Sequence, residues 1–248
     1  MSPLTVTRIT HSCALIDFGG AIVLTDPWFS EKPTYHPGEP IAMQPDELPP
    51  LAGVVISHGH YDHCDLVAFA AYPDKSVPFA VKRGLAGKVR KAGFTNVTEL
   101  DPWESVRFDG VTITAAPAKH KVPEITSILQ ADGKTVFFGA DTLLIPELTD
   151  VAVRFPDIDV ALLPINGLRI RPMFNKQVVM DAHEAAALTQ ILHPRTAIPT
   201  HYAFTGGCIG DRLLVKHDGN PDHYRDAAAT HAPDTVVHVL APGTPLTV

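Results

Sequence analysis

The feature that most constrains the fold is a polar, histidine-rich loop that directly follows a buried strand. Residues 52–57 (AGVVIS) form a continuous apolar run of strand length, which is typical of a strand covered on both faces. The next stretch, residues 57–65, reads SHGHYDHCD. The strand must therefore lie inside a layered fold, and the polar loop must lie at the edge of its sheet.

Within this loop, His58, His60, Asp62 and His63 form the pattern H-x-H-x-D-H. Chance gives on the order of 10⁻³ such matches in a chain of this composition. In extended backbone, residues i and i+2 point the same way, so His58 and His60 can converge on one ion. Asp62 and His63 are neighbours and can face a second ion. Imidazole and carboxylate groups are usual ligands of zinc and similar ions, whereas a solvated polar loop is the alternative interpretation.

Three more candidate ligands follow predicted strands elsewhere in the chain. His120 follows ITAAPAK, Asp141 follows TVFFGA, and His201 follows TAIPT. Strand ends that meet at one edge of the sheets would bring these side chains to the loop of residues 57–65. A single histidine after a strand is commonly a surface or capping residue, but candidates with a shared placement favour a metal centre. Zn²⁺ is the expected ion, with Mn²⁺ and Fe²⁺ as alternatives.

The remaining pattern predicts an α/β fold. Turns at Gly19-Gly20, Asp109-Gly110 and Asp132-Gly133 indicate three hairpins, each between strand-like runs. Helices are predicted over residues 66–72, 83–92, 145–155, 181–192 and 221–230. Buried strands are predicted over residues 160–164 and 196–200, and a further strand over residues 236–240. Hairpins mixed with strand–helix alternation favour two mixed sheets packed face to face with helices outside. At 248 residues, we expect one domain over residues 1–248.

Composition narrows the classes of function. Twenty Lys and Arg against 27 Asp and Glu give a net charge of −7, which argues against nucleic-acid binding through a broad basic face. Three cysteines rule out a disulfide framework, and the roles of Cys64 and Cys208 stay open. With no apolar run of 18 residues and no secretory signal, we expect no transmembrane segment and a cytoplasmic location. The oligomeric state is open between a monomer and a homo-oligomer.

Together these motifs resemble the metallo-β-lactamase superfamily, and the resemblance spans nearly the whole chain. It includes H-x-H-x-D-H, His120, Gly139-Ala140-Asp141-Thr142 and Pro199-Thr200-His201-Tyr202. Finer features resemble the branch that contains L-ascorbate 6-phosphate lactonase and the phospholipase D acting on N-acyl phosphatidylethanolamines. These are His11 in ITHSCALI, Asp26-Pro27-Trp28, residues 116–120 (APAKH), residues 164–167 (PING) and residues 180–185 (MDAHEA).

The resemblance implies a four-layer αββα sandwich with two metal ions. The implied ligands are His58, His60 and His120 for the first ion, Asp62, His63 and His201 for the second, and Asp141 between both. A metal-bridging hydroxide, oriented by Asp62 as the catalytic residue, would attack an ester, lactone or phosphodiester bond of a small or amphipathic substrate. The alternatives are a nuclease or RNA-processing phosphodiesterase, a metal-binding sensor without turnover, and a β-lactamase, for which the sequence shows no export signal.

Other residues near these motifs are candidates for supporting roles. Asp26 and Asp65 either accept hydrogen bonds from ligand imidazoles or serve locally, Asp26 in a turn and Asp65 as a helix cap. His11 is either a pocket residue or a core histidine. Asn166 either donates to a developing oxyanion or shapes a turn, and Tyr202 either walls a substrate pocket or packs.

Overall fold

The computed structural model describes residues 3–248, and over that range it contains 17 β-strands. The strands are β1 Leu4–Thr10, β2 Cys13–Phe18, β3 Ile22–Thr25, β4 Gly53–Ile56, β5 Phe79–Lys82, β6 Val97–Leu100, β7 Ser105–Phe108, β8 Val111–Pro117, β9 Ile125–Ala131, β10 Lys134–Phe138, β11 Val160–Pro164, β12 Arg169–Ile170, β13 Lys176–Gln177, β14 Thr196–Thr200, β15 Val215–Lys216, β16 Val236–Val237 and β17 Pro245–Thr247.

Most strands belong to two seven-stranded sheets. The first sheet has the order β17-β1-β2-β3-β4-β5-β6, and the second has the order β16-β14-β11-β10-β9-β8-β7. Each sheet is mixed, since antiparallel hairpins on one side join a parallel half on the other. A third, small sheet, β13-β12-β15, is called the cap sheet below.

Six α-helices and three 3₁₀ turns complete the regular structure of residues 3–248. The helices are α1 Leu66–Phe69, α2 Ala86–Lys91, α3 Thr149–Arg154, α4 Ala182–Leu192, α5 Gly207–Leu213 and α6 Pro221–His231, and the 3₁₀ turns are Pro45–Glu47, Pro146–Leu148 and Arg171–Met173. Across the same range, no helix combines the length and apolar character that crossing a bilayer requires.

Three apolar clusters show how these elements stack. The central cluster joins the facing sides of the two sheets and includes Val55 and Leu162. A second cluster packs α1 and α2 on the outer face of the first sheet, around Phe69. A third packs α3, α4 and α6 on the outer face of the second sheet, where Leu188 and Tyr224 are buried. Burying one face of each sheet against the other and covering the outer faces with helices produces four layers.

The α4 helix shows how the sequence sets a local boundary. Asp181 is the N-cap, and its carboxylate accepts hydrogen bonds from the backbone N–H groups of His183 and Glu184. The Glu184 side chain accepts in return from the Asp181 N–H, which completes a capping box. Such a cap stabilises a helix by about 1 kcal/mol. The predicted start of this helix at residue 181 is therefore confirmed to within one residue.

The hairpins and alternating helices agree with the sequence predictions, but some short elements do not. The three predicted hairpins are present, and the predicted strand over 236–240 is reduced to the two residues of β16. Strand β6, helix α5 and the whole cap sheet were not predicted. Their segments are short, and a strand of two residues is too short to show periodicity.

Four strands bring the polar segments to one edge of the sandwich. Strand β4 ends immediately before the loop of residues 57–65, and it is parallel to β3 and β5. In the second sheet, β10 and β14 each run parallel to β11, and β8 runs in the same direction because β9 is antiparallel to both β8 and β10. The carboxyl ends of β4, β8, β10 and β14 therefore present their loops to a common space.

Candidate metal centre

Three imidazoles from two sheets converge at this edge and form the first group. His58 and His60 come from the loop after β4, and His120 comes from the loop after β8. The Nδ1 atom of His60 lies 2.9 Å from Nε2 of His58 and 3.2 Å from Nε2 of His120. One nitrogen from each ring lies within 4.8 Å of the others, so the three can share one cation.

A second group forms beside the first around two carboxylates. The Oδ2 atom of Asp62 lies 3.7 Å from Nε2 of His63 and 3.9 Å from Nε2 of His201. Asp141 lies between the groups. On the side of the second group, its Oδ1 is 3.2 Å from Nε2 of His63 and its Oδ2 is 3.0 Å from Nε2 of His201. The same Oδ2 is 3.9 Å from Nε2 of His120.

Unpartnered buried atoms show that these residues fit a bound cation. Within residues 3–248, buried side-chain atoms without a hydrogen-bond partner include Oδ1 of Asp62, Nε2 of His63, Oδ1 of Asp141 and both ring nitrogens of His201. Each buried polar atom left unpaired costs about 1–3 kcal/mol. A divalent ion bound by imidazole and carboxylate groups would satisfy such atoms. The structure therefore brings together all seven residues expected as ligands, and their assignment as ligands stays a prediction.

Burial and neighbouring charges set the protonation of the centre. Burial lowers the pKa of His58 to about 4 and that of His60 to about 3, so both rings are neutral near pH 7 and available to a metal. Burial opposes the charge on His63, but Asp141, Asp62 and Asp26 raise its pKa well above the usual value. Burial likewise opposes ionisation of Asp141, but His201 and His63 hold its pKa well below the usual range. A cation would thus displace a proton from His63.

Hydrogen bonds from outside the two groups hold the imidazoles in place. Oδ2 of Asp26 lies 2.6 Å from Nδ1 of His63, and Asp26 also accepts from the N–H and the hydroxyl of Ser57. Nδ1 of His120 lies 2.7 Å from the Val178 carbonyl oxygen. Such contacts fix which ring nitrogen is free to bind a metal. Asp26 thus lies where sequence analysis expected an accepting carboxylate, at the end of β3.

Glu124, which was not predicted from the sequence, also belongs to the centre. This side chain is fully buried, its Oε1 accepts a hydrogen bond from the Asp141 N–H at 2.8 Å, and the same atom lies 3.2 Å from Nδ1 of His58. Burial raises the pKa of Glu124 to about 8. Its signal in the sequence is weak: one acid stands among apolar residues immediately before the run ITSIL. Glu124 joins a residue of each group and so positions both.

Four residues around the same centre have left-handed backbone. Asp26, Ala140 and His201 have φ values of 34°, 47° and 59°, and His11 has a φ of 49°. Residues other than glycine rarely adopt this left-handed region. Held strain of this kind costs about 1–3 kcal/mol per residue and is common at functional sites.

The other predicted residues lie around the centre rather than within the two groups. Asp65 caps α1 by accepting from the Ala68 N–H, and its second oxygen accepts from Phe29 N–H and Ser30 Oγ. Asn166 is buried, and its side-chain oxygen accepts from the Leu168 N–H.

Two further candidates lie on the side of His201. The Tyr202 hydroxyl accepts from Arg8 at 2.8 Å, and the His11 ring is buried beside His201. The substrate roles expected for Asn166, Tyr202 and His11 stay predictions.

A chamber of about 390 Å³ opens over the centre. Its floor includes His60, Asp62, His120 and Asp141. Tyr35 and Phe204 also line the chamber, and Lys121, which is exposed, lies at its rim. An apolar wall comes from the cap sheet and its flanking segments and includes Leu168, Ile170, Met173, Val178 and Leu214. A small molecule held here would touch the candidate ligands on one side and apolar side chains on the other.

Comparison with known proteins assigns this chain to a family. Residues 22–202 match the family model described as the beta-lactamase superfamily domain. The chain belongs to the metallo-β-lactamase superfamily. Within this superfamily, a metal-dependent hydrolase of Anaeromyxobacter dehalogenans is 26% identical over 263 residues, covering 97% of this chain and 85% of that protein.

Other similar proteins differ in length from this chain. An uncharacterized protein of Mycobacterium tuberculosis is 31% identical over 184 residues, which cover 67% of this chain. The match covers 50% of the mycobacterial protein, so the chain spans about half the length of that relative. The solved structure of Igni18, a metallo hydrolase from Ignicoccus hospitalis, superposes with a TM-score of 0.74 at 22% identity, covering 100% of this chain and 99% of the other. The metallo-β-lactamase fold predicted from the sequence is therefore confirmed.

Proposed function

We propose that this protein is a metal-dependent hydrolase that cleaves an ester, lactone or phosphodiester bond in a small or amphipathic substrate. One observation carries the proposal: seven candidate metal ligands converge at one edge of the sandwich, and four of them line a chamber with an apolar wall. The name of the relative in Anaeromyxobacter dehalogenans, a metal-dependent hydrolase, supports the same class of activity.

The chemistry follows from which residues would hold the ions. His58, His60 and His120 would hold the first, Asp62, His63 and His201 the second, and Asp141 would contact both. A pair of divalent ions at such a centre supplies a water acidic enough to attack near neutral pH and a Lewis acid for the attacked oxygen. We favour Zn²⁺ because the donors are mainly imidazoles, and Mn²⁺ or Fe²⁺ would also suit them.

Asp62 is the residue we propose as catalytic. Its Oδ2 faces the imidazoles of the second group, whereas its Oδ1 has no hydrogen-bond partner within residues 3–248. Asp62 also lines the chamber. A carboxylate in this place can accept a hydrogen bond from the attacking water and hold it toward the substrate.

The chamber favours a substrate with one apolar end. Leu168, Ile170 and Val178 belong to the apolar wall, and burying apolar surface there contributes about 25 cal/mol per Å². Lys121 at the rim suits a polar or anionic group that stays near solvent. An acyl ester, a hydrophobic lactone or a lipid-like phosphodiester would satisfy both regions.

A nuclease fits these features less well. The net charge of −7 opposes a polyanionic substrate, and base recognition gains little from the aliphatic wall of the chamber. A sensor without turnover fits less well than an enzyme because four of the candidate ligands face an open chamber rather than a closed shell.

A reconstitution experiment tests the proposal. The protein is stripped with a chelator, reloaded with Zn²⁺, Mn²⁺ or Fe²⁺, and assayed on p-nitrophenyl esters of increasing acyl length, aliphatic lactones and bis(p-nitrophenyl) phosphate. His60→Ala removes a ligand at the chamber floor, and His183→Ala, at an exposed position on α4, is the matched control. We expect metal-dependent turnover that His60→Ala abolishes and His183→Ala retains. Turnover that survives both chelation and His60→Ala would refute the proposal.

A further inference from the structure

His11 lies in the turn between β1 and β2, where its ring packs against the second group of candidate ligands. The ring is fully buried. Its centroid lies 3.9 Å from that of the His201 ring and 5.2 Å from that of the His63 ring. Its Nε2 lies 3.5 Å from Oδ2 of Asp62. Within residues 3–248, neither ring nitrogen has a hydrogen-bond partner.

The backbone of His11 is held in place by a buried ion pair. The His11 N–H donates to Oε1 of Glu39 at 2.8 Å, and the His11 carbonyl accepts from Arg8 at 3.2 Å. Arg8 is itself buried and makes two hydrogen bonds to the Glu39 carboxylate. The left-handed backbone of His11, with φ of 49°, is thus fixed by charged groups that a plain core residue would not require.

Packing alone explains the ring poorly. Trp28 contacts it edge-on at 4.9 Å, and an apolar side chain of similar size could occupy this place without leaving two buried nitrogens unpaired. Direct contact with substrate explains it poorly too, because the residues that line the chamber include His60, Asp62 and His120 but not His11.

We propose that His11 is an additional protein ligand of the second metal ion. One donor atom from each of His11, Asp62, His63 and His201 lies within 4.8 Å of the others, as one cation requires. This inference rests on the two-metal centre proposed above. With Asp141, the second ion would have five protein donors, whereas the first would have four.

The additional ligand makes the two ions unequal. His60 and His120 of the first group line the chamber, but none of His11, His63 and His201 does so. Of the ligands proposed for the second ion alone, Asp62 is the one that lines the chamber. The second ion would therefore be more enclosed by protein and hold fewer exchangeable positions than the first. We expect the second ion to dissociate last from the native protein.

Metal content, rather than activity, tests this inference. His11→Ala removes the ring, and His11→Phe replaces it with an apolar ring of similar size, so that loss of packing and loss of a donor are separated. Trp28→Phe changes the packing around the His11 ring without removing a metal donor. His183→Ala removes a histidine at an exposed position and controls for histidine number. Each purified protein is titrated with Co²⁺ against a competing chelator, and bound metal is counted by inductively coupled plasma mass spectrometry.

We expect both His11 variants to bind the second ion at least about tenfold more weakly, since even contacts outside the ligand shell change affinity by 10- to 100-fold. The affinity of the protein for the first ion should not change. Pulsed EPR of the second Co²⁺ ion should show one coordinated imidazole nitrogen fewer than in the native protein. The order of release would then reverse. If folded His11→Phe keeps two ions at native affinity, His11 is not a ligand and the proposed function stands. If the native protein itself takes up no ion, the proposed function fails, and this inference with it.

Discussion

The floor and the cap of the chamber are built in opposite ways. The floor takes buried polar side chains from the ends of β4, β8, β10 and β14, all of which are strands of four to seven residues inside large sheets. The cap consists of the two-residue strands β12, β13 and β15 together with α5. Phe174, Ile209 and Leu213 of the cap are 100%, 73% and 60% exposed.

This difference indicates that the floor and the cap have different roles. The floor is fixed by two sheets and by contacts such as that between Asp26 and His63, so the fold itself holds its side chains in place. The cap is attached through short ladders and can vary in sequence with little effect on the sandwich. We therefore expect floor variants to lose metal and activity together, and cap variants to change substrate preference alone.

The largest effect should come from Asp141→Asn. This change removes the charge of a carboxylate that contacts both groups, and breaking a buried charge interaction costs about 3–5 kcal/mol, or about 10²- to 5 × 10³-fold in metal affinity. Both ions should be weakened, which isothermal titration with Zn²⁺ will measure. Loss of a single ion would contradict the bridging position of Asp141.

A smaller effect is expected from Glu124→Ala. The variant leaves the Asp141 N–H without its acceptor and frees one side of His58, so metal affinity and kcat should fall about 10- to 100-fold. Glu124→Gln keeps an oxygen for the Asp141 N–H and should recover part of both. If the two variants are equally impaired, Glu124 does not act through its hydrogen bond to the Asp141 N–H.

On the cap side, Ile170→Ala should change KM and spare kcat. The side chain lines the chamber, and each apolar carbon lost from contact weakens binding by about 0.8 kcal/mol. The change removes three carbons, so KM for a long acyl ester should rise by up to about 60-fold, while KM for a short acetyl ester and the bound metal are unaffected. Val67→Ala, at an exposed position on α1, is the matched control, and a fall in metal content in Ile170→Ala would break the distinction between floor and cap.

The smallest effect is expected from Phe174→Ser. The side chain is fully exposed, so the free energy of unfolding should change by less than about 0.5 kcal/mol, as a urea titration will show. Metal content and turnover of the short ester should be native. A loss of several kcal/mol would mean that Phe174 packs against the protein and that the cap is as firmly fixed as the floor.

The same contrast explains how much the sequence predicts. The hairpins and the strand before His58 were predictable because alternation, glycine turns and a buried apolar run are local signals. His120, Asp141 and His201 were predictable as candidates because each follows a strand. The floor is thus largely visible in the sequence.

The remaining features depend on contacts between distant residues. Glu124 meets Asp141 and His58 only after β9 and β10 pair, and the ion pair of Arg8 with Glu39 that holds His11 joins β1 to an irregular loop. The cap sheet pairs residues 169–170 with residues 215–216, and such short partners carry no periodicity. No local pattern encodes these contacts, so they required the folded structure.

His58 and His63 follow a strand of the first sheet, whereas His120 and His201 follow strands of the second. Each cation would therefore cross-link the two halves of the sandwich. Pulling the halves apart then requires the ions to leave. The free energy of unfolding would then depend on the concentration of free metal. It should rise by about 2.7 kcal/mol when that concentration is a hundred times the dissociation constant. A melting curve recorded against cation concentration would read out occupancy before any substrate is known.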